Sequence, residues 1–211
     1  MADLGLSTAH RRSPFDGHLP SDHATRDGRT GVSLWPEMLH SVLLTSTWPN
    51  GVKPWLAALR KALGQRLPKS VGDSMMLRTG LTMRVGPEEI MLVSEPGQPE
   101  SHELLQNLRQ HVTAQIGAVL DLSHARCRIG IKGPNAVDTL AKLYALDFRE
   151  AAFPLHRVQL TAHHHLPCVL HRTGEQAFDA YVFTTYARDQ LATLADAALE
   201  FGIDCQPRQS R

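Results

Sequence analysis

Apolar and polar side chains alternate along two stretches of this chain, and the alternation predicts β-strands. Successive side chains of a strand point to opposite faces, so a period of two indicates one buried face and one polar face. The first stretch covers residues 77–85, where most odd-numbered positions are apolar. In the second stretch the apolar positions are Cys127, Ile129 and Ile131, and the alternate positions are Arg126, Arg128, Gly130 and Lys132.

Four other stretches place apolar residues three or four positions apart, which is typical of amphipathic helices. They cover residues 53–64, 99–117, 134–144 and 187–202. Short apolar runs predict further strands, including one formed by a β-branched apolar run within "EMLHSVLLTSTW". The predicted order is β-α-β-β-α-β-β-α-β-β-β-α. Because its hairpins and helices are segregated, the pattern predicts an α+β fold: a single domain of mixed or antiparallel sheet with packed helices.

The two ends of the chain differ in composition from the part between them. Residues 1–30 mix polar residues, glycine and proline with isolated apolar residues, which predicts a flexible tail or one that orders against a partner. Residues 31–203 carry the periodic patterns and are predicted to form the domain, and residues 204–211 a polar tail. The beginning lacks an apolar signal region, and no apolar run approaches about 18 residues, so no membrane span is expected.

Charge and cysteine content argue against two classes of protein. The sequence has 22 Lys and Arg residues against 21 Asp and Glu, so it gives no electrostatic case for nucleic-acid binding, which needs a concentrated basic face. Cys127, Cys168 and Cys205 are too few and too far apart for a disulfide framework. Such sparse cysteines suit a reducing compartment, so a cytoplasmic protein is expected.

The segment "LTAHHHLPCVLHR", residues 160–172, holds four histidines and a cysteine. A hairpin centred near Leu166 and Pro167 could bring a histidine opposite Cys168, close enough for tetrahedral zinc. The spacing matches none of the usual zinc-finger signatures, and no acidic residue lies nearby in sequence to orient a histidine. The sequence therefore favours a polar hairpin exposed to solvent or to a partner. It leaves a weaker metal-site hypothesis on His163, His165, Cys168 and His171.

Two more groups of residues have side chains that catalysis or binding uses. Asp121, Ser123 and His124 have the residue types of a hydrolase triad, but triad members are usually distant in sequence and no G-x-S-x-G elbow surrounds the serine. A turn between two strands is favoured, with the aspartate or the serine bonded to backbone N–H groups. The basic strand face could hold an anion such as a folate glutamate tail, although a solvated face is favoured; its residues are Arg126, Arg128 and Lys132.

Several longer motifs resemble the gamma subunit family of heterotetrameric sarcosine oxidases. The most specific are a D-[VL]-S-x-x-R strand pair in "AVLDLSHARCRIGIKG", a G-P-x-A helix start, the stretch "LDFREAAFP" and a closing helix that ends in "ALEFG". The resemblance runs from about Val32 to Gly202. The same stretch more distantly resembles the first half of the folate-dependent aminomethyltransferases, such as the T-protein of the glycine cleavage system, and so implies their folate-binding α+β fold.

The resemblance implies a non-catalytic gamma subunit of a complex that oxidatively demethylates sarcosine to glycine, hydrogen peroxide and 5,10-methylenetetrahydrofolate. It implies alpha, beta and delta subunits as partners, which would hold FAD, FMN, NAD, tetrahydrofolate and zinc, and it implies that this chain packs against the folate-binding part of the alpha subunit. In the transferases a hairpin carries an acidic pair after a glycine turn. The hairpin taken to correspond here has His165, Leu166, Pro167 and Cys168 in that place. Without a carboxylate to handle the proton, no catalytic residue is expected in this chain.

Three alternatives stay open at this point. The complex could act on another N-methyl amino acid, as related N-methylglutamate dehydrogenases with similar small subunits do. The chain could be a free-standing folate-dependent aminomethyltransferase-like protein, or a metal-binding module built on the histidine-rich hairpin. For the favoured role, a half-domain separated from its other half should keep an apolar face. We therefore expect an obligate interface on the order of 2,000 Å² or more.

Overall fold

Eleven strands and four α-helices are found in the computed structural model, which describes residues 12–25, 28–95 and 101–207. The helices are α1 (Val52–Leu63), α2 (Ser101–His111), α3 (Ala136–Ala141) and α4 (Ala187–Ala198). The strands are β1 (Val32–Met38), β2 (Ser41–Thr47), β3 (Ser74–Leu77), β4 (Gly80–Gly86), β5 (Glu89–Ser94), β6 (Gly117–Asp121), β7 (Arg126–Lys132), β8 (Val158–His163), β9 (Leu166–Gly174), β10 (Ala177–Phe183) and β11 (Ile203–Cys205). All four predicted helices are confirmed. Within the described ranges, no helix has the length and hydrophobicity needed to cross a membrane.

The strands form two sheets rather than one. The first sheet has the order β11-β1-β7-β10-β9-β8, and the second sheet has the order β3-β4-β5-β2-β6. Neighbouring strands are antiparallel except for β1 and β11, which are parallel. The chain passes from the first sheet to the second between β1 and β2, and it returns between β6 and β7. The predicted α+β class is therefore confirmed.

The two sheets lie face to face, and the helices cover their outer sides. One core joins the first sheet to α3 and α4 and includes Ile129 and Leu191. A second core joins the second sheet to α1 and α2 around the fully buried ring of Trp55. A third core lies between the sheets, where Tyr181 of β10 and Met83 of β4 belong to the same apolar cluster. The layers therefore run helix, sheet, sheet, helix.

Within residues 37–48, where the sequence predicts one strand, the structure has the end of β1 and the whole of β2. β1 ends at Met38 and β2 begins at Ser41, and the two residues between them carry the chain from one sheet to the other. Leu39 is buried in the core between the sheets, so the apolar pattern continues through the break and hides it. The sequence prediction also misses β3 and β11, because strands of four and three residues are too short to show a period.

The described part of the predicted N-terminal tail packs against the domain. Phe15 is buried in the core under the first sheet, and the backbone of His23 forms an antiparallel bridge with Ile203. A carboxylate oxygen of Asp22 accepts a hydrogen bond from the backbone N–H of Cys205 at 2.9 Å. Residues beyond the predicted boundaries at 31 and 203 therefore contact the domain, because isolated apolar residues find their partners only in the fold. Residues 1–11, 26–27 and 208–211 of the predicted tails lie outside the described residues.

Candidate functional site between the two sheets

A buried arginine marks the polar part of the space between the sheets. On β7, Arg128 pairs directly with Glu37 of β1 and with Tyr181 of β10, so the three side chains share the face toward the second sheet. Asp179, two residues before Tyr181, lies on the same face. Glu95 follows β5 directly and reaches Arg128 from the second sheet. We call Glu37, Glu95, Arg128 and Asp179 the arginine cluster.

All three side-chain nitrogens of Arg128 contact carboxylates. Nε donates to Glu37 Oε2 at 3.0 Å, and Nη2 donates to the same oxygen. Nη1 donates to Glu95 Oε1 at 2.7 Å and lies 3.5 Å from Asp179 Oδ2. Arg128 is only 3% exposed. Burial disfavours its charge, but the carboxylates of Asp179 and Glu95 outweigh burial, so the pKa of Arg128 is raised above its usual value.

The arginine cluster therefore has a structural role. Its cation, Arg128, is already bonded to carboxylates and is not free to bind a ligand. A buried ion pair offsets the loss of water only when its hydrogen-bonding groups are well satisfied, and here every nitrogen of the guanidinium has an oxygen partner. The cluster connects three strands of the first sheet to the end of β5 in the second sheet. It therefore fixes how the two sheets meet.

The other two residues of the predicted basic face lie at opposite ends of β7. The guanidinium carbon of Arg126 lies 3.6 Å from the centroid of the Phe183 ring. The exposed Lys132 places its Nζ 5.8 Å from the ring of Trp35. Six strand positions separate the two cations, which is about 20 Å along a strand. The structure does not bring the three basic residues around one anion, and the solvated face predicted for Arg128 is wrong because Arg128 is buried.

The histidine-rich segment forms the β8–β9 hairpin, with its turn two residues earlier than predicted. His163 pairs with Leu166, so His164 and His165 form the turn. Both turn residues have positive φ, at 48° and 69°, which is a conformation that few residues other than glycine adopt. Both are exposed at the tip of the hairpin. The predicted polar hairpin is present, and its tip faces away from the cores.

This register separates the residues of the metal-site hypothesis. His163 and Cys168 point toward α3 and α4, where the rings of His163 and Tyr144 lie 5.4 Å apart. His171 points to the opposite side, where its Nε2 lies 3.0 Å from the hydroxyl of Ser74 in the second sheet. Among the described residues, no group of three or more His, Cys, Asp or Glu side chains is placed to hold a metal ion. The four proposed ligands do not converge.

Burial also makes the thiol of the hairpin unreactive. Cys168 is completely buried, and burial raises its pKa to about 11 despite the opposing effect of Arg126. The thiolate is the nucleophilic form, so a thiol with a raised pKa is a poor nucleophile near neutral pH. The pKa of His163 is lowered, chiefly by burial, so the neutral imidazole is favoured beside it.

His171 is buried between the sheets and should affect how stability depends on pH. It is only 4% exposed. Burial lowers its pKa from 6.5 to about 4, and the nearby charges of His156 and Arg128 add to the effect. A protonated His171 would place a further cation beside the arginine cluster, which the folded structure disfavours.

We expect His171 to reduce the stability of the fold as the pH falls from 6.5 toward about 4. In that window the unfolded chain binds a proton at this histidine and the folded chain does not, so protonation favours unfolding. Above pH 6.5 both states are neutral at this position and its contribution is constant. At the low end the loss reaches roughly 3 kcal/mol. Urea unfolding followed between about pH 7 and about pH 5 measures it.

The His171→Gln variant should show a shallower loss of unfolding free energy over this range than the natural chain. His124→Gln is the matched control, because His124 is exposed and its replacement should leave the slope unchanged. Equal slopes in all three proteins would contradict the assignment of the effect to His171.

Asp121, Ser123 and His124 form a turn rather than a triad. The backbone N–H and the hydroxyl of Ser123 both donate to Asp121 Oδ1, at 2.9 and 2.5 Å. The Ser123 oxygen also accepts a hydrogen bond from the backbone N–H of Val42 at 3.0 Å. His124 is exposed and forms no hydrogen bond with either residue in the described part of the chain. The predicted turn between strands is confirmed.

The three carboxylates around Arg128 are not predicted from the sequence. Glu37 lies 91 residues away in sequence and Glu95 lies 33 residues away, so no local spacing connects them. One signal was available in "AFDAYVF", where Asp179 stands alone in an otherwise apolar strand. A charged residue in such a strand indicates a buried ion pair, because charged side chains are rarely buried without a partner.

Comparison with known sequences connects this chain to two groups of proteins. Residues 71–208 match the family described as the GCVT N-terminal domain. The sarcosine oxidase subunit gamma of Corynebacterium sp. (strain U-96) is 32% identical over 198 residues, which are 92% of this chain and 93% of that protein. The sarcosine oxidase subunit gamma of Arthrobacter sp. is 32% identical over 196 residues, with the same two shares.

Solved structures give the same result at the level of the fold. A chain of the heterotetrameric sarcosine oxidase from Corynebacterium sp. U-96, in complex with pyrrole 2-carboxylate, is similar with a TM-score of 0.76 and 28% identity. The match covers 90% of this chain and 96% of that chain. The glycine cleavage system aminomethyltransferase T from Bartonella henselae has a TM-score of 0.60 at 16% identity, over 93% of this chain and 59% of that chain. The second likeness shows a shared fold over part of the longer protein.

Proposed function

We propose that this chain, which belongs to the family of sarcosine oxidase gamma subunits, is an accessory subunit that gives its complex shape and stability rather than a catalytic group. The observation that carries the proposal is the arginine cluster. A general acid or base must exchange a proton with a substrate within hydrogen-bond reach. The carboxylates of Glu37, Glu95 and Asp179 instead bind Arg128 between the sheets.

The β8–β9 hairpin supports the same conclusion. Residues 158–174 contain no Asp or Glu, so the hairpin that was compared with the acidic hairpin of the transferases has no carboxylate to offer. Its thiol, Cys168, is buried with a raised pKa, and its exposed histidines, His164 and His165, lie at the tip of the turn. None of these groups is paired with a second residue as a nucleophile is paired with its base.

In this proposal the cofactors belong to the partner chains. The strand face suggested for the carboxylates of a folate does not offer converging free cations, because Arg128 is fully bonded and Arg126 and Lys132 lie about 20 Å apart along β7. We therefore assign tetrahydrofolate, together with FAD, FMN, NAD and zinc, to alpha, beta and delta subunits. Cys127, Cys168 and Cys205 are buried and none of them is in a disulfide, which suits a reducing compartment, and we place the complex in the cytoplasm.

The purified chain alone should not turn over sarcosine in the presence of tetrahydrofolate, whereas the complex that contains it should. Hydrogen peroxide release at equal concentrations of this chain measures both. Within the complex, His165→Ala and Lys132→Ala replace exposed groups of this chain, and kcat should stay within about twofold. A fall in kcat of about a hundredfold or more, in a complex of unchanged mass, would show that this chain supplies a proton-transfer group.

A further inference from the structure

A basic groove lies on the flank where the two sheets end side by side. β3 is the last strand of the second sheet and β8 is the last strand of the first, and Asp73 and Arg157 form a backbone bridge where these strands begin. The groove has a volume of about 770 Å³. Its walls are the end of α1, the connection from α1 to β3, and the turn before β8. The groove is large enough for several residues of an extended peptide.

Four cationic side chains and one carboxylate line this groove: Arg60, Arg66, Lys69, Arg157 and Asp73. The carboxylate of Asp73 is already paired, because it forms an ion pair with Arg157. Arg60, Arg66 and Lys69 are exposed, and within the described ranges none of them forms an ion pair. Three like charges therefore face one groove, although the net charge of the chain is only +1. This local concentration of positive charge attracts an acidic ligand.

The groove also has apolar walls, which a small inorganic anion would leave uncovered. Leu67 and Pro68 are buried beneath the groove, and Leu155 is 45% exposed at its rim. Met75 is half-buried on the opposite side. A ligand that fits both features carries acidic side chains together with at least one apolar side chain.

The walls of the groove are held in place by hydrogen bonds. The carbonyl of His156, whose φ is +61°, accepts a hydrogen bond from Ser74 Oγ at 2.5 Å. The backbone N–H of His156 donates to the carbonyl of Arg172 at 2.9 Å, and Arg84 Nη1 donates to the carbonyl of Lys69 at 2.7 Å. A site that is already formed loses less conformational freedom when its ligand binds.

We infer that this groove binds an acidic, partly apolar segment of a neighbouring subunit in the complex. The inference rests on the proposed function, because it takes its occupant from the partner chains of an accessory subunit. A protein segment supplies carboxylates and apolar side chains together, and it matches the length, the charge and the walls of the groove. The cations then contribute mainly to the rate and the specificity of assembly.

The double variant Arg60→Glu with Arg66→Glu tests the inference by binding of this chain to a complex of the partner subunits purified without it. The dissociation constant should rise by about tenfold or more at low salt, and the difference should shrink at roughly 0.5 M sodium chloride. The matched control is Lys53→Glu with Lys61→Glu, which makes the same charge change on exposed positions of α1 outside the groove. The control should bind within about twofold of the natural chain.

A zero-length cross-link can identify the occupant. A carbodiimide condenses the amine of Lys69 with a carboxylate in contact with it, and mass spectrometry should find an amide to an Asp or Glu of a partner subunit. Lys69→Arg keeps the charge but removes the amine, so this product should disappear while binding is retained.

The inference would be overturned if both double variants weakened binding equally, or if neither weakened it. Binding of the natural chain to the partner subunits would, in either case, leave the proposed function in place. Assembly that ignores both variants while added inorganic phosphate binds the groove would assign the groove to a small anion instead. Failure of the natural chain to bind the partner subunits would overturn the inference and the proposed function together.

Discussion

Replacing Arg128 by methionine should lower the free energy of unfolding by about 3–5 kcal/mol, which is a large part of the stability of a domain of this size. The methionine removes the one cation of the arginine cluster and leaves Glu37, Glu95 and Asp179 facing one another. Glu95, 32% exposed in its side chain, can turn toward solvent, whereas the side chains of Glu37 and Asp179 are 19% and 11% exposed. Chemical unfolding of the isolated chain, at a concentration low enough to keep it monomeric, measures the loss.

The pH dependence of this variant separates loss of the ion pairs from simple loss of packing. Uncompensated buried carboxylates have folded pKa values above their unfolded values, so the variant should regain stability relative to the natural chain as the pH falls from about 7 toward about 5. The natural chain should lose stability over the same range because of His171. Lys132→Met removes an exposed cation from the same strand and should cost less than about 0.5 kcal/mol. A cost below about 1 kcal/mol for Arg128→Met would contradict the account of the cluster.

Replacing Met76 and Leu160 together by glutamate should weaken binding of this chain to its partner subunits by about tenfold or more. Met76 lies on β3 and Leu160 lies on β8. Each is on the strand face that is buried in the core between the sheets at other positions. Leu160 pairs with Val169 and Met76 pairs with Leu81, and both of those partners are buried. Met76 and Leu160 themselves are 66% and 59% exposed, so the core between the sheets opens on this flank. In the double variant, an apolar partner surface that covers this opening would lose its contacts with both side chains.

The same double variant should keep the stability of the isolated chain within about 1 kcal/mol, because both side chains are exposed in the free chain. Its binding of a hydrophobic dye should fall severalfold relative to the natural chain. Leu120→Glu with Leu199→Glu changes two exposed leucines elsewhere on the surface and serves as the control. Unimpaired partner binding by the Met76 and Leu160 variant would show that this flank stays open to solvent in the complex.

Strong periodicity in the sequence predicts elements well in this protein, because a long amphipathic element has its own signal. The apolar stripes of the four helices correspond to real elements, and the alternation at residues 77–85 corresponds to β4 from Gly80 onward, whereas Leu77 ends β3 and Arg78 and Thr79 form the turn. The break after Met38 could not be predicted in the same way, since Leu39 is as apolar as a strand residue and is buried at the crossing between the sheets. Phe15 is one apolar residue in a polar segment, and only the fold shows what it packs against.

The candidate site was harder to predict because its geometry depends on distant parts of the chain. Arg128 was expected on a solvated strand face, since alternation cannot tell a face covered by water from one covered by another sheet. The second sheet and the carboxylates of Glu37 and Glu95 decide the matter. The predicted position of the hairpin turn was wrong for a more local reason. Pro167 suggested the turn, but His164 and His165 adopt the positive φ that places the turn two residues earlier.

The native mass of the product of co-expression tests the central claim most directly. This chain, produced together with the alpha, beta and delta subunits that we propose as its partners, should be found in one flavin-containing particle with one copy of each chain. Loss of this chain should lower the yield or stability of the particle, and the chain alone should self-associate and bind hydrophobic dye. A lone chain that stays a monodisperse monomer and itself turns over sarcosine with tetrahydrofolate would contradict the account.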